Sequence, residues 1–196
     1  PKGWSMASLG SIGKIFNGNS INSKVKNEKY SNGNGLPFIA TKDIGYGFEN
    51  FNYDNGVKIP ITELKFKIAK KGTVFICAEG GSAGRKCGIT TEDIFFGNKL
   101  FANELHFNID PSYILINYMT PNFFRKFKTS MTGIIGGISL NNFMKLEIPL
   151  PPFQEQKLIV AKVDHLFNLC EKLKTSLKIS QKIQIQLADS LAKNIL

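Results

Sequence analysis

The sequence predicts an α+β fold: a globular mixed-sheet domain over residues 1–150 and one long coiled-coil-forming α-helix over 151–196. Three observations carry this prediction. Short β-type apolar runs, punctuated by glycine turns, fill the first part of the chain. Three prolines, Pro149, Pro151 and Pro152, then fall within four residues where that pattern stops. Beyond Pro152 there is no proline or glycine, and apolar residues recur at helical spacing. Proline lacks the amide donor and fixes φ, so these three cannot lie inside a helix or a central strand. They mark a rigid joint. A proline in the first helical turn removes an amide that has no intrahelical partner anyway, which places the helix start at Pro152 or Phe153.

With 196 residues and 42% hydrophobic content the chain suits one ordinary domain plus an extension. A formal charge of +10 makes a polyanion the expected partner, nucleic acid first. No apolar run approaches the roughly 18 to 20 residues of a membrane-spanning helix. The N-terminus has no charged segment followed by an apolar one, so no signal peptide is expected, and the start at Pro1 suggests a chain cut from something longer. Cys77, Cys87 and Cys170 lack Cys-x-x-Cys spacing, and His106 and His165 are far apart; free thiols in a reducing cytoplasm are expected, not a metal site or a disulfide.

In chain order, Trp4, Leu9, Ile12, Ile15 and Phe16 anchor a short strand-like opening. Asn17 to Gly35 collects Asn, Ser, Gly and Lys and reads as a long loop, whose Lys24, Lys26 and Lys29 either face solvent or lie on phosphates. Leu36 to Ala40 reads as a strand ending in Thr41-Lys42-Asp43, and Gly45 to Gly56 as turns. A Lys-Gly turn leads into Val74 to Cys77, a buried strand. Next comes Gly80-Gly81-Ser82-Ala83-Gly84-Arg85-Lys86: a plain hairpin tip, or a place where backbone amides and two cations approach a ligand. It is not a phosphate-binding Walker loop, because Cys87 stands where Ser or Thr is needed and strand follows instead of helix. Strand character resumes at Ile89, turns at Thr91 to Asp93, and continues from Ile94 to Phe101, interrupted by Asn98 and Lys99, polar residues that cap a turn or face a partner.

Asp110-Pro111 and Thr120-Pro121 each place an N-cap before a proline at the first helical position, predicting helices over Ser112–Met119 and Pro121–Ser130. The second carries Arg125, Lys126 and Lys128, read as a solvated face. Thr132 to Gly137 is a glycine-rich turn, Ser139 caps a short turn through Met144, and Leu146 to Leu150 is the closing strand. Past the joint, Ile159, Val163, Leu166, Cys170, Leu173 and Leu177 alternate steps of four and three, a heptad seam. It breaks at Ser180 and Gln184 and resumes at Leu187 and Leu191, while Ile179 and Ile183 make the stripe drift. A helix of about 44 residues would span roughly 65 Å, more than a small domain can bury, so a partner helix is expected.

Catalysis finds no support. Leu150-Pro151-Pro152-Phe153 has the outline of the Asn/Asp-Pro-Pro-Tyr/Phe motif with which amino-group DNA methyltransferases hold a flipped base, but leucine offers no hydrogen-bond acceptor. Glu63-Leu64-Lys65 matches only the tail of a metal-nuclease motif. Two histidines support no nucleophilic triad, and no cofactor loop is present.

The stretch Ile148-Pro149-Leu150-Pro151-Pro152-Phe153-Gln154-Glu155-Gln156, continuing to Val160 and preceded by Ile138-Ser139, resembles the junction between recognition domain and conserved helix in specificity subunits of type I restriction-modification systems. Gly3-Trp4, Leu9 to Gly13, Pro37 to Ile39 with Asp43-Ile44, Lys71-Gly72 and Gly80 to Lys86 are similar to the same family in the same order. The resemblance implies a non-enzymatic, cytoplasmic DNA-binding subunit. Such subunits hold two target recognition domains, each reading half of a split site in double-stranded DNA, and two long antiparallel helices on which methyltransferase subunits dock; restriction subunits join that core. One domain and one helix make this chain half of that pattern, either a fragment or a half-subunit that self-dimerises. The break at Ser180 and Gln184 would then set the register. On this reading Ser82, Arg85, Lys86, Asn98 and Lys99 are the expected groove or phosphate contacts, Arg85 suited to guanine and Asn98 to adenine, with Lys24, Lys26, Lys29 and Lys42 on the DNA backbone. Phe153, Gln154, Glu155 and Gln156 either dock the methyltransferase or cap the helix and pack on the domain. The alternative is a bridging coiled-coil protein whose basic head binds protein.

Overall fold

The computed structural model describes residues 3–31, 33–132 and 136–195, the side chains of 188–189 and 191–195 excepted. The chain divides into two compact units, Pro1–Gln156 and Lys157–Leu196. Three sheets build the first. Strand β1 (Ser5–Ser8) pairs antiparallel with β10 (Glu147–Leu150), Ser5 opposite Leu150, which ties the start of the chain to the proline joint. A four-stranded antiparallel sheet runs β2 (Gly13–Asn17), β9 (Leu100–Leu105), β6 (Val74–Cys77), β7 (Cys87–Ile89). The other runs β4 (Lys58–Ile59), β3 (Leu36–Ile39), β8 (Ile94–Phe96), β5 (Ile68–Ala69), and is mixed because β3 and β8 pair in parallel.

Period-2 alternation explains why this mixed sheet has no solvent face. Ile39, Ile94 and Phe96 point into one core with Phe51, Phe75 and Leu100, while their neighbours Phe38 and Phe95 point into another with Tyr30, Val57, Ile59 and Phe66. A sheet covered on both faces reads as a continuous apolar run, as Ile94-Phe95-Phe96 does. Edge-on ring contacts lace these cores, Phe75 with Phe96 at 5.0 Å between centroids and Phe66 with Phe95 at 5.7 Å.

The helices are α1 (Leu9–Ile12), α2 (Ser23–Lys29), α3 (Pro111–Met119), α4 (Pro121–Thr129), α5 (Leu140–Met144) and α6 (Phe153–Ile195). The predicted caps form: Asp110 accepts from the amides of Ser112 and Tyr113, Thr120 from that of Phe123, and Ser139 from that of Asn142. Arg125 and Lys128 are solvent-exposed, as read. Two expectations need correction. The opening is not one strand, because α1 interrupts it and buries Leu9 and Ile12. The loop expected over Asn17 to Gly35 contains α2, N-capped by Asn22; it buries no side chain of its own, so it left no apolar periodicity to read. Of the Thr132 to Gly137 turn, residues 133–135 lie outside the described set.

Cys77 and Cys87 are buried and Cys170 exposed, all three free. Burial pushes the Cys77 thiol up, and that of Cys87 up to about 11. Among the described residues no helix is long and apolar enough to cross a membrane.

In the second unit α6 carries exposed Leu166, Leu173, Leu177 and Leu187, exposed Cys170, and part-exposed Ile159 and Val163. Leu169, Ile179, Ile183 and Ile185 are exposed as well, so the apolar stripe is wider than one heptad seam. The side chain of Leu191 lies outside the described residues.

Candidate nucleic-acid interface

Two turns meet at the end of β6. The amide of Cys77 donates to Lys86 O at 2.8 Å and that of Ala78 to Lys99 O at 2.8 Å, so the β6–β7 tip and the β8–β9 turn flank successive residues of one strand. The tip is closed by Ala83 N to Gly80 O (2.9 Å), Arg85 N to Ser82 O (3.0 Å) and Gly84 N to Cys77 O (2.8 Å). Gly84 has φ +71°, and a Cβ there would stand 2.6 Å from the Phe127 ring, so the tip needs glycine at that position.

Most of the expected contacts sit on or beside these two turns. Arg85 is exposed, its guanidinium 5.3 Å from the Phe124 ring centroid. Lys86 donates to Thr41 O at 3.1 Å, and its Nζ stands 5.6 Å from the Tyr46 ring centroid. Lys42 is exposed on that same 3-10 turn, Thr41–Asp43. On the other turn Lys99 pairs with Glu79 at 3.3 Å, and exposed Asn98 borders an open cleft of about 600 Å³ together with Asn17, Glu79 and Ser139. Ser82 contributes its carbonyl to the tip and is half-buried.

The α2 lysines form a second group. Lys29 and Lys65 share the carboxylate of Glu63, the Lys65 pair at 3.7 Å. Lys26 lies 5.8 Å from the Phe38 ring centroid, and Lys24 pairs with Glu28 at 4.0 Å. Lys67 lies next to the cleft: its Nζ donates to Asn17 O at 3.0 Å, and Asn17 lines the cleft with Asn98. Neither Lys65 nor Lys67 is among the contacts expected from the sequence. Their signal was the alternation Lys65-Phe66-Lys67, which buries Phe66 and turns the lysines out.

Glu63 is therefore an ion-pair hub; among the described residues no group of three His, Cys, Asp or Glu could hold a metal. The Lys29 hydrogen bond holds its carboxyl below the ordinary 4.5, and Glu63 raises Lys29 above 10.5. A depressed carboxyl contributes stability above its unfolded value and loses it as pH falls through the folded one. A raised lysine contributes below its unfolded value and loses it as pH rises through the folded one, so the pair is intact at neutral pH. An NMR titration is expected to place the Glu63 midpoint below 4.5, and Lys29→Ala to return it toward that value. An unmoved midpoint would remove Lys29 as the cause.

At the joint, Glu155 accepts from Trp4 Nε1 at 3.0 Å. Gln156, only 2% exposed, accepts from the Asp110 amide at 2.9 Å and donates to Pro151 O at 3.0 Å. Both side chains are engaged within the first unit, as the capping-and-packing reading requires. Phe153 is part-exposed and Gln154 exposed.

The profile of the type I restriction modification DNA specificity domain matches residues 1–184. The chain belongs to this family. As a specificity domain it is not an enzyme. It is 25% identical over 199 residues to the MjaIX specificity subunit of Methanocaldococcus jannaschii, covering 95% of this chain and 43% of that protein. To the EcoAI specificity subunit of Escherichia coli it is 33% identical over 85 residues, 42% of this chain and 14% of that protein. A chain from a study of complex assembly and conformational transition of the type I R-M system superposes with TM-score 0.68 at 25% identity, over 90% of this chain and 41% of that one. The HsdS subunit from Thermoanaerobacter tengcongensis shares the fold, with TM-score 0.68 at 24% identity over 90% and 40% of the two chains. The specificity domain thus spans less than half the length of these relatives.

Proposed function

We propose that this specificity domain binds double-stranded DNA in the cytoplasm and reads one half of a bipartite site for a type I restriction-modification complex. What carries the reading is the gathering of Lys42, Arg85, Lys86, Asn98 and Lys99 about the end of one strand in a domain of this family. The lysines neutralise phosphates, which fixes orientation, while Arg85 and Asn98 reach base edges in the major groove. Helix α6, with 43 residues or roughly 65 Å, is the spacer between two recognition domains, its stripe covered by a second long helix, from a second copy or from a longer chain. Methyltransferase subunits dock near the joint, where Phe153 and Gln154 retain accessible surface, and restriction subunits join through them.

The test is salt-titrated binding to random-sequence duplexes followed by selection, with and without the methyltransferase subunit. A split consensus is the expected result; no enrichment in either arm would end the reading. Within the selected site, Arg85→Ala is expected to relax preference at one base pair by roughly 1–3 kcal/mol. Uniform weakening over all sequences would make Arg85 a phosphate contact instead.

A further inference from the structure

Following the 3-10 turn comes Gly45-Tyr46-Gly47-Phe48-Glu49. Tyr46 is 55% exposed, yet its backbone is firmly held. Its amide donates to Glu49 Oε2 at 3.0 Å, the Gly47 amide donates to Cys87 O at 2.9 Å, and Tyr46 itself bridges to Cys87 on β7. The glycines on either side are sterically required. Gly47 has φ +83°, a backbone conformation that L side chains rarely adopt, and a Cβ on Gly45 would stand 2.5 Å from Glu49 Cβ.

A large ring held out in solvent on a fixed backbone gains little for folding, since its apolar face stays half wet. For binding it is well suited: two side-chain torsions remain to be ordered, so a rigid tyrosine offers contact area at low entropic cost. Its surroundings select the ligand. Lys86 Nζ lies 5.6 Å from the ring centroid while bonded to Thr41 O, and Lys42 is exposed on that same turn. The nearby Glu49 carboxylate is turned onto the Tyr46 amide. An aromatic surface with Lys86 against it and Lys42 exposed four residues earlier fits duplex DNA, in which phosphates border base edges that include the apolar thymine methyl.

We infer that Tyr46 is a specificity-determining residue of the DNA interface, its ring packed against a base edge while Lys42 and Lys86 hold the adjoining phosphates. This rests on the DNA-reading function proposed above. Selection is therefore run first on the parental chain with its methyltransferase subunit, then on Tyr46→Ala, Tyr46→Phe and Lys42→Ala, each with its salt slope and thermal midpoint. Tyr46→Ala is expected to weaken the selected site about tenfold and to blur one base position, with the salt slope and the thermal midpoint unchanged. Tyr46→Phe, which keeps the ring, is expected to retain the consensus. Lys42→Ala is expected to lower the salt slope by about one and leave the consensus intact.

Tyr46→Ala binding within twofold of the parent with the same consensus would overturn the inference and leave DNA reading standing. A loss spread evenly over all sequences, or matched by a fall in thermal midpoint, would overturn it too, marking a general or structural role. A parental chain that enriches nothing ends the DNA reading and this inference with it.

Discussion

If α6 pairs with a second copy, replacing Leu166, Leu173 and Leu177 together by glutamate is expected to turn the pair into monomers while the unit of residues 1–156 stays folded. All three are exposed on α6, and among its described side chains only that of Gln156 is buried. Burying one leucine contributes on the order of 1.5–3 kcal/mol, and a symmetric pair of helices buries each position twice. Removing six such contacts and adding six charges to the seam exceeds what an interface of this kind can supply. Light scattering across a concentration series is the measurement. Far-UV circular dichroism adds a second signature: an unpaired amphipathic helix draws little stability from propensity alone, so the monomer should also lose helical signal. A parental chain that is strictly monomeric at high concentration would sink self-pairing and leave the second helix to a longer polypeptide. Cys170, exposed on the same stripe, reports independently, because its thiol labelling should slow as the chain pairs.

The second large effect lies at the joint. Gln156→Ala is expected to cost the first unit about 2–4 kcal/mol, read as a fall in the urea midpoint at unchanged slope. The side chain is 2% exposed and satisfies two backbone groups, the Asp110 amide at 2.9 Å and the Pro151 carbonyl at 3.0 Å. Alanine takes the partner from both, and an orphaned buried polar group costs about 1–3 kcal/mol; a water entering the vacated polar space sets the loss at the low end of that range. The loss also reaches α3, because Asp110 is its N-cap. Gln154→Ala, two residues earlier and exposed, is expected to stay within about 0.5 kcal/mol. Equal effects at the two positions would show that the joint is held by packing instead of by this amide.

That contrast between Gln154 and Gln156 could not be read from the chain. Both follow the same prolines in the same helical turn, and only the approach of Asp110, 46 residues away in sequence, separates them. Helix α2 is a similar case: it buries nothing and is anchored at its end by Lys29 on Glu63, 34 residues distant, so no local pattern announced it. Strands β4 and β5, two residues each, are too short to show a period. The Glu63-Leu64-Lys65 triplet, too short as a string to argue for metal chemistry, is an ion-pair hub in the fold.

By itself the sequence determined the α+β class, the strand Val74–Cys77, the caps at Asp110, Thr120 and Ser139, the helix start to within Pro152 or Phe153 and the apolar stripe of α6. These rest on chemistry complete within a turn or two of chain: a side chain reaching an amide two or three residues on, a proline barring helix, a repeat of apolar positions. Only the tertiary structure decided that the turns bearing Lys42, Tyr46, Arg85, Lys86, Asn98 and Lys99 meet about the end of β6, that Lys67 reaches Asn17, and that Lys65 shares Glu63 with Lys29 of α2. Loop residues carry no periodicity, and their neighbours are chosen by which strands pair, a choice made by burying two aromatic cores and not by the loops themselves.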